Sequence, residues 1–170
     1  AACAPCFFDV APLDSMVRLY SADPLETSAY AHNLRRQLVD GGHGHIMAPG
    51  GTRLVFTARV WRIHDWEILT SPIENSVEGV IVADASVFFA RTRTPIQLTI
   101  EHGRLCAIHC ADETDAILGQ YVRWMNDALA ANPANGQLAE VGIGCHGGAE
   151  LSGIIMEDET VQGTCHFCFG

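Results

Sequence analysis

Ile96-Gln97-Leu98-Thr99-Ile100-Glu101-His102-Gly103-Arg104-Leu105-Cys106-Ala107-Ile108 is the stretch whose reading decides the fold. Ile96, Leu98 and Ile100 alternate with polar residues, and Leu105, Ala107 and Ile108 follow. Between the two runs, Glu101-His102-Gly103-Arg104 places a glycine where a tight turn needs positive φ, so the segment reads as a β-hairpin. Immediately beyond it the period changes. From Asp112 to Ala131, the residues Ala116, Ile117, Tyr121, Trp124, Met125 and Leu129 recur at steps of three and four. Asp112 and Glu113 suit the positive end of a helix there, and Asn132-Pro133 stops it.

Working outward, Val77 to Ala83 is a strand of the buried type, and Pro49-Gly50-Gly51 turns a second hairpin between Ile46–Ala48 and Thr52–Trp61. Met16 to Ala22 reads as a short strand ending at Asp23-Pro24. A helix from Leu25 to Val39 follows, with Gly41-Gly42 as its stop. Towards the end, Leu138 to Ile143 is a strand, Gly144, Gly147 and Gly148 mark a loop, and Val161 to Phe169 is extended. Largely strands with two main helices means an α+β fold, its strands mostly antiparallel. No repeat or linker divides it, so the expectation is an N-terminal segment, residues 1–15, and one domain, residues 16–170.

The 170 residues are 48% apolar and 18% charged, enough for a core without staples. A net charge of -10 argues against a nucleic-acid surface, which needs clustered basic residues. All ten basic residues are arginine. Without lysine there is no Schiff base, no pyridoxal anchor and no phosphate-loop lysine. No run is long enough to cross a bilayer, and Ala1 to Phe8 lacks the features of a signal peptide, so a cytoplasmic protein is expected. Seven cysteines, an odd number, then read as reduced thiols, with Cys106 and Cys110 as small apolar residues.

The Gly-x-Ser-x-Gly, His-Glu-x-x-His and phosphate-loop strings are all absent. Three places instead put an ionisable residue inside an apolar or glycine-rich strand end: Trp66-Glu67-Ile68-Leu69, Leu138-Ala139-Glu140-Val141-Gly142-Ile143-Gly144, and Gly163-Thr164-Cys165-His166-Phe167-Cys168-Phe169-Gly170. Singly, each reads as the solvent-facing residue of an amphipathic strand. Together, two glutamates and a histidine are ligands that zinc, manganese or iron accept.

These segments also resemble those of a known family. Trp66-Glu67-Ile68-Leu69-Thr70-Ser71-Pro72 followed by Ser76-Val77-Glu78-Gly79 is similar to its Gly-Glu-Val-x-x-x-Pro segment and the strand after it. Leu138-Ala139-Glu140-Val141-Gly142-Ile143-Gly144 resembles its Gly-Glu-Val/Leu-x-x-Gly. Glu157 to Gly170 resembles its Asp-Glu-Lys-x-x-Gly-Thr-x-His-Ile-Ala-x-Gly ending. Pro49-Gly50-Gly51-Thr52-Arg53-Leu54 and Arg59-Val60-Trp61 match two further motifs in order. The family is that of the aminopeptidase T-like metallopeptidases, with the related iron-dependent dihydroxypyridine ring-cleaving dioxygenases.

The resemblance implies metal ligands at Glu67, Glu140 and His166, the two glutamates also being catalytic. It implies a divalent metal, zinc first, with iron, cobalt or manganese as alternatives, and a small-molecule or peptide substrate. It implies a homodimer or a partner subunit, while the charge and the lack of a long apolar run argue against nucleic acid and membrane. The family's later tyrosine and His-x-Asp pair lie past the position of Gly170, so the chain reads as a shortened relative. The reading expected first is an amide or peptide hydrolase. Beside it stand a non-catalytic ligand-binding module of the same fold and a dioxygenase relative or subunit of a larger complex.

The cysteines add a separate possibility. Cys3-x-x-Cys6 and Cys165-x-x-Cys168 have the spacing of a four-thiolate zinc site, and Cys145, beside His146, enters a loop near the presumed ligands. Gly42-His43-Gly44-His45 is read as a solvated turn, and His64 and His109 as surface or satisfied core histidines.

Overall fold

The computed structural model describes residues 12–170 apart from residues 88, 89 and 113. In chain order the elements are α1 (Leu13–Ser21), α2 (Pro24–Arg35), β1 (His43–Met47), β2 (Arg53–Thr57), β3 (Arg62–His64), β4 (Glu67–Thr70), β5 (Glu78–Ala83), β6 (Ser86–Val87), β7 (Ala90–Arg91), β8 (Ile96–Glu101), β9 (Arg104–Cys110), α3 (Ala116–Ala131), β10 (Leu138–Gly144), α4 (Ile155–Asp158) and β11 (Cys165–Phe169). The strands form an antiparallel five-stranded sheet, β1-β2-β5-β8-β9, and an antiparallel four-stranded sheet, β11-β10-β4-β3, with β6 and β7 as a separate ribbon. This is a single α+β domain. Among its described residues no helix is long and apolar enough to cross a membrane.

One hydrophobic cluster joins the two sheets to α3. Leu54, Ile81, Ile96 and Ile100 enter it from the large sheet, Ile68, Leu138 and Val141 from the small one, and Leu118 and Met125 from the helix. The β8–β9 hairpin turns at His102-Gly103 with both φ positive, 49° and 78°, as a two-residue turn requires. Helix α3 starts from Asp115, whose carboxylate accepts the N–H groups of Ile117 and Leu118. Asp112 instead closes a turn on Thr114, and Glu113 lies outside the described residues.

The strand expected at Met16–Ala22 is helix. Those residues begin partway along α1, whose buried residues are Ser15 and Leu19, so a window opening at Met16 hides the helical period. The helix also starts before residue 16, and Leu13 onward is continuous with the rest of the fold.

Two polar links fasten α1 to the loop after β10 and to α4. His146 accepts the Gly148 N–H at Nδ1 (3.1 Å), which leaves Nε2 to donate to the Leu19 carbonyl at 2.8 Å. Glu157, fully buried, accepts from Arg18 Nε at 2.5 Å and Nη2 at 2.7 Å, and from the Glu150 N–H. Its carboxyl is held down to about 2, by the Arg18 hydrogen bond first, against the opposing effect of burial.

A folded pKa below the unfolded value of about 4.3 adds stability that is complete above that pH and lost as the pH falls towards 2. Glu157→Gln is therefore expected to cost on the order of 2–3 kcal/mol at neutral pH and to flatten the acid limb of stability. Denaturant melts between pH 2 and 7 read both effects.

Candidate functional site

Three adjacent strands of the small sheet carry the site. Residues directly opposite in an antiparallel ladder share a face, and here Glu67 opposes Gly144, His166 opposes Gly142, and Cys168 opposes Glu140. All six lie on the face opposite to Ile68, Thr70 and Val141, which are buried in the core. A register shift between Leu138 and Glu140 makes this possible. Strict alternation would put Glu140 on the same side as the buried Leu138, and the bulge turns its carboxylate out onto the site face. Gly142 is the floor. A Cβ there would fall inside the imidazole of His166, so the ring reaches across β10 towards Glu67 because position 142 has no side chain.

His166 Nε2 lies 3.0 Å from Glu67 Oε2 and 3.7 Å from Glu140 Oε1. Although close, the ring N–H is not aimed at either oxygen. Glu67 Oε2 and both ring nitrogens of His166 are buried without a hydrogen-bond partner. Burial alone would lower the His166 pKa, but Glu140 and Glu67 outweigh it and lift the group to about 9, so the ring carries a proton at neutral pH. The charged imidazole beside it holds Glu140 below the usual carboxylate range, against the opposing effect of burial.

The structure thus brings Glu67, Glu140 and His166 together. Among the described residues no three donors close on one point as they stand. Two further groups belong to the cluster and were given no role from the sequence. His64 Nδ1, across the β3–β4 hairpin, is 3.6 Å from Glu67 Oε1. Glu159, just past α4, feels His166, Glu67 and Glu140; burial first, then these carboxylates, push it up to about 7 against the pull of His166. The signal for His64 was its place two residues before Trp66-Glu67, a spacing that suits a hairpin partner.

The cysteines behave differently from the expectation. Cys165 and Cys168 sit three apart on a strand, so their side chains leave opposite faces of β11 and cannot share one ion. Cys3 and Cys6 lie outside the described residues. Cys145 is wholly buried in the core, its thiol pushed up to about 11 by burial and then by Glu67. Cys168 donates to Glu140 Oε1 at 3.5 Å and is raised too, by burial and then by that glutamate. Both are thiols, not thiolates. The Gly42–His45 segment expected as a turn runs into strand β1.

Beside the cluster is a cavity of about 310 Å³ between β5, α3 and β11. Its wall includes Tyr121, Trp124, Met125, Phe167, Glu159 and His166, an apolar, aromatic lining with ionisable groups on one side. Burial raises the Tyr121 hydroxyl to about 12, so it faces this region as a neutral phenol.

No protein-family model matches the sequence, and no curated protein matches it. Among solved structures, 2,5-dihydroxypyridine dioxygenase from Pseudomonas putida KT2440 has the same fold, with a TM-score of 0.67 at 17% identity over 94% of this chain and 52% of that one. The fold of the dioxygenase side of the resemblance is therefore matched, and the peptidase side gains no support from it. The chain spans about half the length of that dioxygenase and has its fold.

Proposed function

We propose that Glu67, Glu140 and His166 hold a divalent metal ion, iron foremost, and that the protein is a metal-dependent enzyme that opens an aromatic ring oxidatively. The observation that carries the metal is the pair of buried atoms, His166 Nε2 and Glu67 Oε2, 3.0 Å apart and neither hydrogen-bonded. Ligands about 2.1 Å from an octahedral ion stand about 3.0 Å apart along an edge, so these donors already have the separation that a shared cation needs. A buried carboxylate oxygen and imidazole nitrogen without partners are also the atoms that a cation would satisfy.

Bound there, iron would supply the oxygen chemistry that side chains lack. The chain's own part is to orient and exclude water. Gly142 lets His166 cross the sheet, the bulge aims Glu140, and the aromatic wall of the cavity gives a planar ring a dry surface beside them. The fold shared with a ring-cleaving dioxygenase supports the oxidative reading.

A hydrolytic reading, with zinc, cobalt or manganese, would use the second carboxylate, Glu140, as its general base. The assay that separates them loads the protein anaerobically with ferrous ion. Oxygen uptake is then followed with 2,5-dihydroxypyridine, and amine release from small peptides with the zinc and cobalt forms. Oxygen uptake with ring loss supports the proposal. Amine release alone would transfer the site to hydrolysis, and bound metal with neither activity would favour a binding module.

Gly142→Ala tests the same site without removing a ligand. A methyl group at that position displaces the imidazole, and metal affinity is expected to fall at least about 10-fold while far-UV circular dichroism keeps its native shape.

A further inference from the structure

The β3–β4 hairpin brings a second imidazole to Glu67. Residues Asp65-Trp66 make the turn, with Asp65 at φ 47°, and His64 is the direct cross-strand partner of Glu67. The two side chains therefore leave the same face of the sheet. Glu67 then has an imidazole at each oxygen: His64 Nδ1 3.6 Å from Oε1, and His166 Nε2 3.0 Å from Oε2. Its other acidic neighbour, Asp65, is further at 3.9 Å and exposed.

We propose that His64 is a ligand of the same metal ion, so that two imidazoles, from β3 and β11, flank the Glu67 carboxylate from β4. The inference rests on the metal reading above and adds a ligand to it. With Glu140 the ion would then be held by two imidazoles and two carboxylates, a mixed nitrogen and oxygen donor set that iron accepts.

His64 and His166 differ in setting in a way that fits distinct roles. The His166 side chain is 12% exposed and fixed over Gly142, whereas that of His64 is 67% exposed at the end of the hairpin. The inner imidazole anchors the ion, and the outer one closes on it from the solvent side. Being exposed, His64 is replaceable without loss of core packing, which makes it a clean site to test.

The test uses Co2+ as the probe. Purified wild-type protein, His64→Ala, His64→Gln, His166→Ala and, as a control on the large sheet, His109→Ala are titrated with Co2+ under visible absorption. The metal-loaded forms are then examined by X-ray absorption to count imidazole ligands. The expectation is two imidazoles in the wild type and in His109→Ala. In both His64 variants one imidazole and at least about 10-fold lower affinity are expected, with the thermal transition of the metal-free protein unchanged. His64 variants that bind Co2+ as tightly as the wild type, with an unchanged imidazole count, would overturn this ligand while leaving the metal reading in place. A wild-type protein that takes up no Co2+ would overturn both.

Discussion

Glu67→Ala and, separately, His166→Ala should reduce the bound divalent metal from near one equivalent to near zero. Each removes a buried donor whose metal-facing atom has no hydrogen-bond partner, and each leaves the opposite member of a 3.0 Å pair facing an empty space. Glu140 is half-open, and its nearer oxygen is 3.7 Å from the imidazole. Glu140→Ala should therefore weaken binding by a smaller factor, about 10-fold.

Metal analysis after dialysis against a trace of free ion reads all three. Cys168→Ala and Cys145→Ala should retain the metal, since both thiols are held protonated by burial and by neighbouring carboxylates. Thermal melts give a second reading. An ion at 100 times its dissociation constant adds about 2.7 kcal/mol to stability, a gain that the Glu67 and His166 variants should lose.

The largest effect on folding is expected at Gly103. It sits at φ +78° in the β8–β9 turn, and a Cβ there would run into the backbone carbonyl of Glu74. Its own N–H donates to the Val77 carbonyl at 2.9 Å, and its carbonyl accepts the Leu138 N–H at 2.8 Å and the Gln137 side chain at 2.9 Å. One residue thus ties the hairpin of the large sheet to the start of β10 in the small one. Gly103→Ala combines a left-handed backbone penalty with a backbone clash and should cost about 3–4 kcal/mol, lowering Tm by about 10 °C. Because β10 carries Glu140 and Gly142, metal affinity should drop with it. Calorimetry on the two proteins at one pH checks the first claim.

The hairpin, α3 and the strand ending at Gly144 were legible in the sequence because each has a period and a boundary residue: Gly103, Asn132-Pro133, and the glycines after Ile143. Helix α1 was not, because an apolar run of a few residues looks alike as strand or helix until its full length is known. The meeting of Glu67, Glu140 and His166 is a matter of register between strands far apart in sequence. A family resemblance suggested it, while local pattern alone could not.

The bulge before Glu140 left only a faint trace, a leucine and a glutamate two apart that must face opposite ways. Nothing local marked Glu159, whose raised pKa comes from groups on three other segments. The Cys-x-x-Cys at 165–168 shows the reverse case. The spacing invites a zinc site, and strand geometry divides the two thiols between opposite faces.

Anomalous diffraction from a crystal grown anaerobically with ferrous or cobalt ion tests the central claim most directly. The predicted result is one strong peak about 2.0–2.2 Å from His166 Nε2 and from carboxylate oxygens of Glu67 and Glu140. A crystal of metal-saturated protein with no peak between those three side chains, or with its only peak on cysteine sulfur, would contradict it.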